Sequence, residues 1–161
     1  MKQLIPFLLI ILLTATFAPS FKAQPPHEKV VVNEQLEPFF DRFVELMAKN
    51  DIPVDYSLLT TVDLLPLYYG VQGIYSPTTK GVVINYYIQF PVLQKLTRAE
   101  KDDFIFIVLA HEIGHAMGWK HIDAEAIGLM NPSSKHDLSI IRGSLGADQY
   151  IINTYKAKFC K

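Results

Sequence analysis

Residues 97–118 read TRAEKDDFIFIVLAHEIGHAMG, and this stretch decides how the chain folds. It opens with a capping box, because the hydroxyl of Thr97 and the carboxylate of Glu100 can satisfy free N–H groups at the start of a helix. Residues 104–110 are then apolar at every position, which predicts a helix buried on all sides. Gly118 can adopt the left-handed conformation, so we expect the helix to end there and the chain to turn sharply.

This helix carries the sequence HEIGH at residues 111–115. Residues four apart lie on one face of a helix, so the imidazoles of His111 and His115 can both reach one metal ion. Glu112 lies one position further round, where its carboxylate can touch a water molecule that the metal activates. The turn after the helix can bring His121 back as a third ligand. Three neutral imidazoles leave one tetrahedral position open, which is typical of a catalytic zinc rather than a structural one.

A solvated helix face is the ordinary explanation of a histidine pair, so the five-residue motif alone is a moderate signal. Gly118 and His121 at fixed offsets make a chance match much rarer. Two imidazoles and a carboxylate inside an otherwise apolar helix would also carry a large desolvation cost without partners. We therefore interpret the cluster as a metal site.

The pattern HExxHxxGxxH over residues 111–121, followed by GLMNP at residues 128–132, resembles the metzincin clan of zinc endopeptidases, and its matrixin-like branch most closely. The resemblance implies bound Zn²⁺, hydrolysis of internal peptide bonds, and Glu112 as the general base and acid. It also implies that Met130 lies in a tight turn beneath the zinc. The substrate is then expected to bind as an extended peptide, with residues 131–143 forming one wall of a specificity pocket.

Two positions depart from the pattern of that clan. Ile122 follows the third histidine, where many members carry serine, aspartate or glutamate, and Asp123 stands one position later. Pro132 occupies the position from which some relatives supply a tyrosine as an extra zinc ligand.

We expect an α+β fold of metzincin type, in which a small twisted mixed β-sheet packs on a preceding helix and on the central zinc-binding helix. The turn at Met130 and a C-terminal helix then follow. The predicted elements are a short strand at Val30–Val32, a helix over 34–49 capped by Asn33, a β-prone stretch over 56–65, strands over 68–75 and 81–90 joined as a hairpin, and a helix over 147–159.

The stretch YYGVQGIY at residues 68–75 is the candidate sheet edge for a peptide substrate. Gly70 and Gly73 permit close backbone approach there, although a β-bulge is an equally good explanation of both glycines. Aromatic residues elsewhere are expected to be core or surface residues, and two histidines lack metal-ligand spacing. These residues are Trp119, Tyr86, Tyr87, His27 and His136.

Composition limits the domain count and the class of partner. The 161 residues are 50% apolar and 19% charged, which suits a single packed domain. The net charge of −1 argues against nucleic-acid binding, and a lone Cys160 excludes an intramolecular disulfide. We expect a monomer.

The N-terminal residues indicate export. Residues 1–20 combine Lys2, an apolar run and a small-residue cleavage pattern, which predicts a signal peptide and a secreted or otherwise extracytoplasmic protein. An uncleaved anchor is the alternative, and only then is membrane contact expected. Residues 21–33 form a leader, and residues 34–161 form the zinc metallopeptidase catalytic domain.

Other functions remain open from the sequence. The chain could be a zinc-binding module that does not cleave, although Glu112 argues against that. It could also be a zinc amidohydrolase that acts on non-protein amides, or a structural protein whose histidines bind no metal.

Overall fold

The computed structural model describes residues 29–68, 70–85, 93–122, 128–132, 139–143 and 145–159. The predicted signal peptide and residues 21–28 of the leader lie outside these ranges. So do several residues singled out above, namely His27, Tyr86, Tyr87, Asp123, His136 and Cys160.

The architecture is α+β, as predicted. In chain order the elements are β1 (Val31–Val32), α1 (Glu37–Lys49), a 3₁₀ helix (Tyr56–Leu58), β2 (Thr61–Leu65), β3 (Gly73–Ser76), β4 (Gly81–Asn85), a second 3₁₀ helix (Leu93–Lys95), α2 (Arg98–Ala116) and α3 (Gly146–Phe159). Among the described residues, no helix is both long enough and apolar enough to cross a membrane.

The sheet is mixed and has four strands in the order β1-β2-β4-β3. β1 runs parallel to β2, and β2 runs parallel to β4 with Val62 opposite Val82. β3 runs antiparallel to β4 with Gly73 opposite Ile84, which confirms the predicted hairpin. β1 lies in the stretch assigned to the leader and is hydrogen-bonded into the sheet. β3 is an edge strand.

The core lies between one face of the sheet and the three helices. Three residues of the sheet and three of α2 before the histidines are fully buried, namely Val62, Val82, Ile84, Phe106, Ile107 and Leu109. α3 anchors α2 directly, because the hydroxyl of Tyr155 donates a 2.7 Å hydrogen bond to the carbonyl of Ala110. The backbone immediately before His111 is therefore fixed from both sides.

Helix α1 begins later than the sequence predicts. Asn33 is not its N-cap: Leu36 takes that position, while Asn33 accepts a hydrogen bond from the N–H of Gln35 in the preceding turn. Pro38 explains the difference. A helix starting at residue 34 would need a donor at position 38, whereas proline in the first turn of the observed helix costs no hydrogen bond.

Two predicted strands are shorter in the structure. Residues 56–58 form a 3₁₀ turn, because the carboxylate of Asp55 accepts bonds from the backbone N–H and hydroxyl of Ser57 and so competes with strand pairing. The strand predicted over 68–75 begins only at Gly73. β4 ends at Asn85, and residues 86–90 of that prediction lie outside the described residues.

The signals at both ends of α2 are confirmed. The N–H of Glu100 donates to the hydroxyl of Thr97, and the carboxylate of Glu100 accepts from the N–H of Thr97, so the capping box is complete. The helix ends at Ala116, and Gly118 has a φ of +80°. The C-terminal helix α3 starts one residue before its predicted position.

Candidate metal centre

Helix α2 and the turn after it bring three imidazoles together. The Nε2 atom of His121 lies 3.2 Å from Nε2 of His111 and 3.0 Å from Nε2 of His115. One ring nitrogen from each of the three residues lies within 4.8 Å of the others, a group that can hold a metal ion. The predicted ligand set is thus assembled at one point in space.

Backbone carbonyls fix the orientation of the two helical imidazoles. Nδ1 of His111 lies 2.6 Å from the carbonyl oxygen of Leu129, and Nδ1 of His115 lies 2.8 Å from that of Trp119. A carbonyl oxygen only accepts, so each Nδ1 carries the proton and each Nε2 presents a lone pair. This outer hydrogen bond is the usual support of a metal-binding histidine.

Burial disfavours the charged form of two of the three imidazoles, those of His111 and His121. Burial lowers the pKa of His111 to about 4, against the hydrogen bond to Leu129, which raises it. Burial, followed by the proximity of His115, also lowers the pKa of His121. Neutral imidazole is the form that binds metals, so both shifts favour metal binding.

Two of the three separations between donor atoms are close to those of a tetrahedral metal site. Ligand bonds of about 2.0–2.1 Å in a tetrahedron place nitrogens about 3.3–3.4 Å apart, close to the separations of 3.0 and 3.2 Å found here. Two of the converging nitrogens are fixed as acceptors, so they cannot bond to each other. A proton on Nε2 of His121 could serve only one of them, whereas a metal ion could bind all three nitrogens.

The chain after Gly118 is tied to the turn that contains Met130. The N–H of Ile122 donates to the carbonyl of Met130 at 3.1 Å, and the N–H of Asn131 closes the turn on Gly128 at 2.9 Å. Met130 is only 2% exposed. Its Sδ would lie 2.8 Å from a Cβ at Gly114, so it packs against α2 between the two histidines. The turn therefore braces the helix and the His121 segment together.

Trp119 takes its predicted place as a packing residue. Its ring lies 4.5 Å from that of Tyr155 and 5.8 Å from that of Phe159, centroid to centroid. Its carbonyl has the further role of orienting His115.

Glu112 is buried beside the histidines, with 5% of its surface exposed. Burial raises the pKa of its carboxyl to about 7, against a hydrogen bond from the backbone N–H of Tyr75, which lowers it. Its side chain lies against β3 at Gly73. The carboxylate therefore lies between the helix that carries the histidines and β3.

Two cavities adjoin this carboxylate, with volumes of about 240 and 370 Å³. Both are lined by Gly73, Glu112 and His121. The smaller cavity is also lined by Val108, Asn131 and Pro132. The larger cavity is also lined by Tyr75, Pro77 and His115. Of the wall predicted over residues 131–143, Asn131 and Pro132 line the smaller cavity and residues 139–143 line neither cavity. Residues 133–138 lie outside the described ranges.

Part of the predicted stretch over 68–75 lies at the edge of the described sheet. β3 lies at the sheet edge, but residues 70–72 precede the strand and are held by Asn85. Gly73 makes its close approach to the Glu112 side chain, which neither of the two explanations offered by the sequence anticipates.

Asn85 forms hydrogen bonds with the segment that lines the smaller cavity. Its amide oxygen accepts from the N–H of Leu67 at 3.1 Å, its amide nitrogen donates to the carbonyl of Val71 at 2.5 Å, and its backbone N–H donates to Gln72. It is 2% exposed. Asn85 was not predicted to support the site. The only sign of it in the sequence is a polar residue at the end of an apolar strand.

We expect Asn85→Ala to lower the free energy of unfolding by about 1–3 kcal/mol, because the buried side chain is lost and the part-buried backbone groups of Leu67 and Val71 are left unpaired. Denaturation by urea measures this. The control is Asn50→Ala, which removes a part-buried bond to the Leu46 carbonyl and an exposed bond from Lys156, while Asn50 itself is only half-buried. Equal costs for the two substitutions would contradict the assigned role of Asn85.

Comparison of the chain with models of protein families, with curated proteins and with solved structures finds no match in any of the three. The site is therefore defined by its own residues, namely three histidines that can hold a metal ion beside a buried glutamate.

Proposed function

We propose that this protein is a zinc-dependent endopeptidase that hydrolyses internal peptide bonds. The observation that carries the proposal is the convergence of three imidazole nitrogens next to the buried carboxylate of Glu112, at the inner side of an edge strand. A structural zinc site would use four protein ligands. The metal-binding group found among the described residues has three, which leaves room for a reacting molecule.

His111, His115 and His121 would hold the metal through their Nε2 atoms. When bound, zinc supplies a Lewis acid that makes water nucleophilic near neutral pH and polarises a carbonyl oxygen. Glu112 takes the proton of the attacking water and returns it to the leaving nitrogen of the cleaved amide. Burial of Glu112 keeps bulk solvent from competing for that proton.

The proposed substrate is an extended peptide that adds to β3. Within the described residues β3 pairs with β4 alone. The groups on its other backbone edge, apart from the Tyr75 N–H that bonds Glu112, can therefore form main-chain hydrogen bonds with a peptide. The cavities on either side of Glu112 would then receive side chains flanking the cleaved bond. We also propose, from the sequence, that the protein acts as a monomer outside the cytoplasm.

Cleavage of an unstructured peptide library by the purified, zinc-loaded protein tests the proposal. We expect cleavage that a zinc chelator abolishes and added zinc restores, with internal cleavage sites identified by mass spectrometry. Bound zinc without cleavage of any peptide would contradict the proposal and favour a non-catalytic zinc module or an amidohydrolase with non-protein substrates. Absence of bound zinc would contradict the metal site itself.

A further inference from the structure

We propose that Gly73 is a positioning residue, whose missing side chain gives Glu112 the room to hold its carboxylate between the two cavities. The inference deepens the proposed peptidase function and rests on it for its catalytic meaning. The steric coupling between positions 73 and 112 does not depend on that function and can be tested separately.

The contact between these residues leaves no space for a methyl group. A Cβ at position 73 would lie 2.7 Å from Cγ, 2.8 Å from Oε1 and 3.0 Å from Cδ of Glu112. Real Cβ atoms essentially never approach another heavy atom this closely, so one partner would have to move. The closest of these atoms is Cγ, which means that turning the carboxylate group alone cannot relieve the clash.

The backbones on both sides are fixed, so the side chain of Glu112 must give way. Gly73 lies opposite Ile84 in the sheet, and Ile84 is fully buried. Glu112 is followed on α2 by Ile113, which is also fully buried. A substitution at Gly73 would therefore turn Glu112 about its first side-chain bond and carry the carboxylate out of its place.

Tyr75 of β3 makes a second contact with the Glu112 carboxylate. The backbone N–H of Tyr75, two residues further along the same strand, donates to the Glu112 carboxylate. β3 thus offers a bare Cα and a hydrogen-bond donor to one group. Misplacement of a reacting group by about 1 Å can cost about 100-fold in rate, so this fit has a measurable consequence.

A double-mutant cycle on unfolding tests the coupling without any activity assay. We expect Gly73→Ala to lower the thermal midpoint of the metal-free protein, and the same change to cost nothing in a Glu112→Ala background. Gly81→Ala is the matched control, because its Cβ would meet Thr61 Oγ1 at 2.9 Å and Thr79 Oγ1 at 3.1 Å in the same sheet. Its cost should be equal in both backgrounds.

Equal costs of Gly73→Ala in the two backgrounds would overturn the inference. If Gly73→Ala does not fold alone, folding of the Gly73→Ala/Glu112→Ala double variant supports the coupling, and failure of both overturns it.

Steady-state kinetics test whether Gly73 affects catalysis through Glu112. We expect zinc-loaded Gly73→Ala to keep its full zinc content and its KM, and to lose about 10- to 100-fold in kcat, whereas Gly81→Ala keeps the wild-type kcat. An unchanged kcat, or loss of zinc, would overturn the positioning role. A wild-type protein that cleaves no peptide would instead remove the proposed function, while the stability cycle would still decide the coupling.

Discussion

Replacing Glu112 by glutamine lowers kcat for peptide hydrolysis by about 10²–10⁴-fold, the usual contribution of a general acid or base. Glutamine keeps the volume of the side chain, so it fits the space beside Gly73, but it cannot accept the proton of the attacking water. The three imidazoles are untouched, and the zinc content should stay at the wild-type level. The substitution therefore separates loss of chemistry from loss of metal.

Single-turnover cleavage of a fluorogenic peptide, with zinc measured on the same sample, checks this expectation. Glu45→Gln is the matched control, because Glu45 is exposed on α1 and should retain full activity. Equal rates for wild type and Glu112→Gln would remove Glu112 from the mechanism.

Replacing His115 by alanine abolishes stable zinc binding and, with it, peptide hydrolysis. Changes in the outer hydrogen bonds of a metal ligand cost about 10- to 100-fold in affinity, and loss of a ligand should exceed that range. Among the described residues, no further His, Cys, Asp or Glu belongs to the group that can hold the metal, so none is placed to replace His115. Zinc should then no longer raise the thermal midpoint.

Competition with a chromophoric chelator measures the affinity, and thermal denaturation with and without zinc gives an independent readout. The matched control is His136→Ala, since the sequence gives His136 no metal-ligand spacing. Wild-type zinc affinity in His115→Ala would show that the metal lies elsewhere, and reduced affinity in His136→Ala would add a ligand that the account lacks.

Elements with local signals were predicted well from the sequence. Helix α2 has a capping box at Thr97 and a left-handed glycine after its end, and both act within a few residues of the helix terminus. The HExxH spacing likewise fixes two imidazoles on one helical face whatever the rest of the chain does. The hairpin of β3 and β4 follows from a short polar turn between two β-prone stretches.

The errors occur where two local signals compete. Asn33 is a good capping residue, but Pro38 four residues after the expected start requires a later one. Residues 56–58 are β-prone, yet the Asp55 carboxylate closes a 3₁₀ turn over them. Residues before Gly73 have strand-like composition, and the side chain of Asn85, from the neighbouring strand, holds them out of the ladder.

The supporting contacts of the site could not be predicted because they join distant parts of the chain. The carbonyls that orient the histidines come from Leu129 and Trp119, and a backbone carbonyl carries no mark in the sequence. The role of Gly73 was equally unpredictable, because it depends on the lack of a side chain next to Glu112, which lies in a distant part of the chain. The sequence therefore predicts which residues bind and react, and the fold determines how each is held.

X-ray absorption spectroscopy of the zinc-loaded protein is the measurement that decides whether the three histidines share one ion. We predict a zinc ion with imidazole nitrogens of all three residues at about 2.0–2.1 Å and one further light-atom ligand. A spectrum with fewer than three imidazoles, or a protein that binds no zinc, would contradict the site and the function proposed for it.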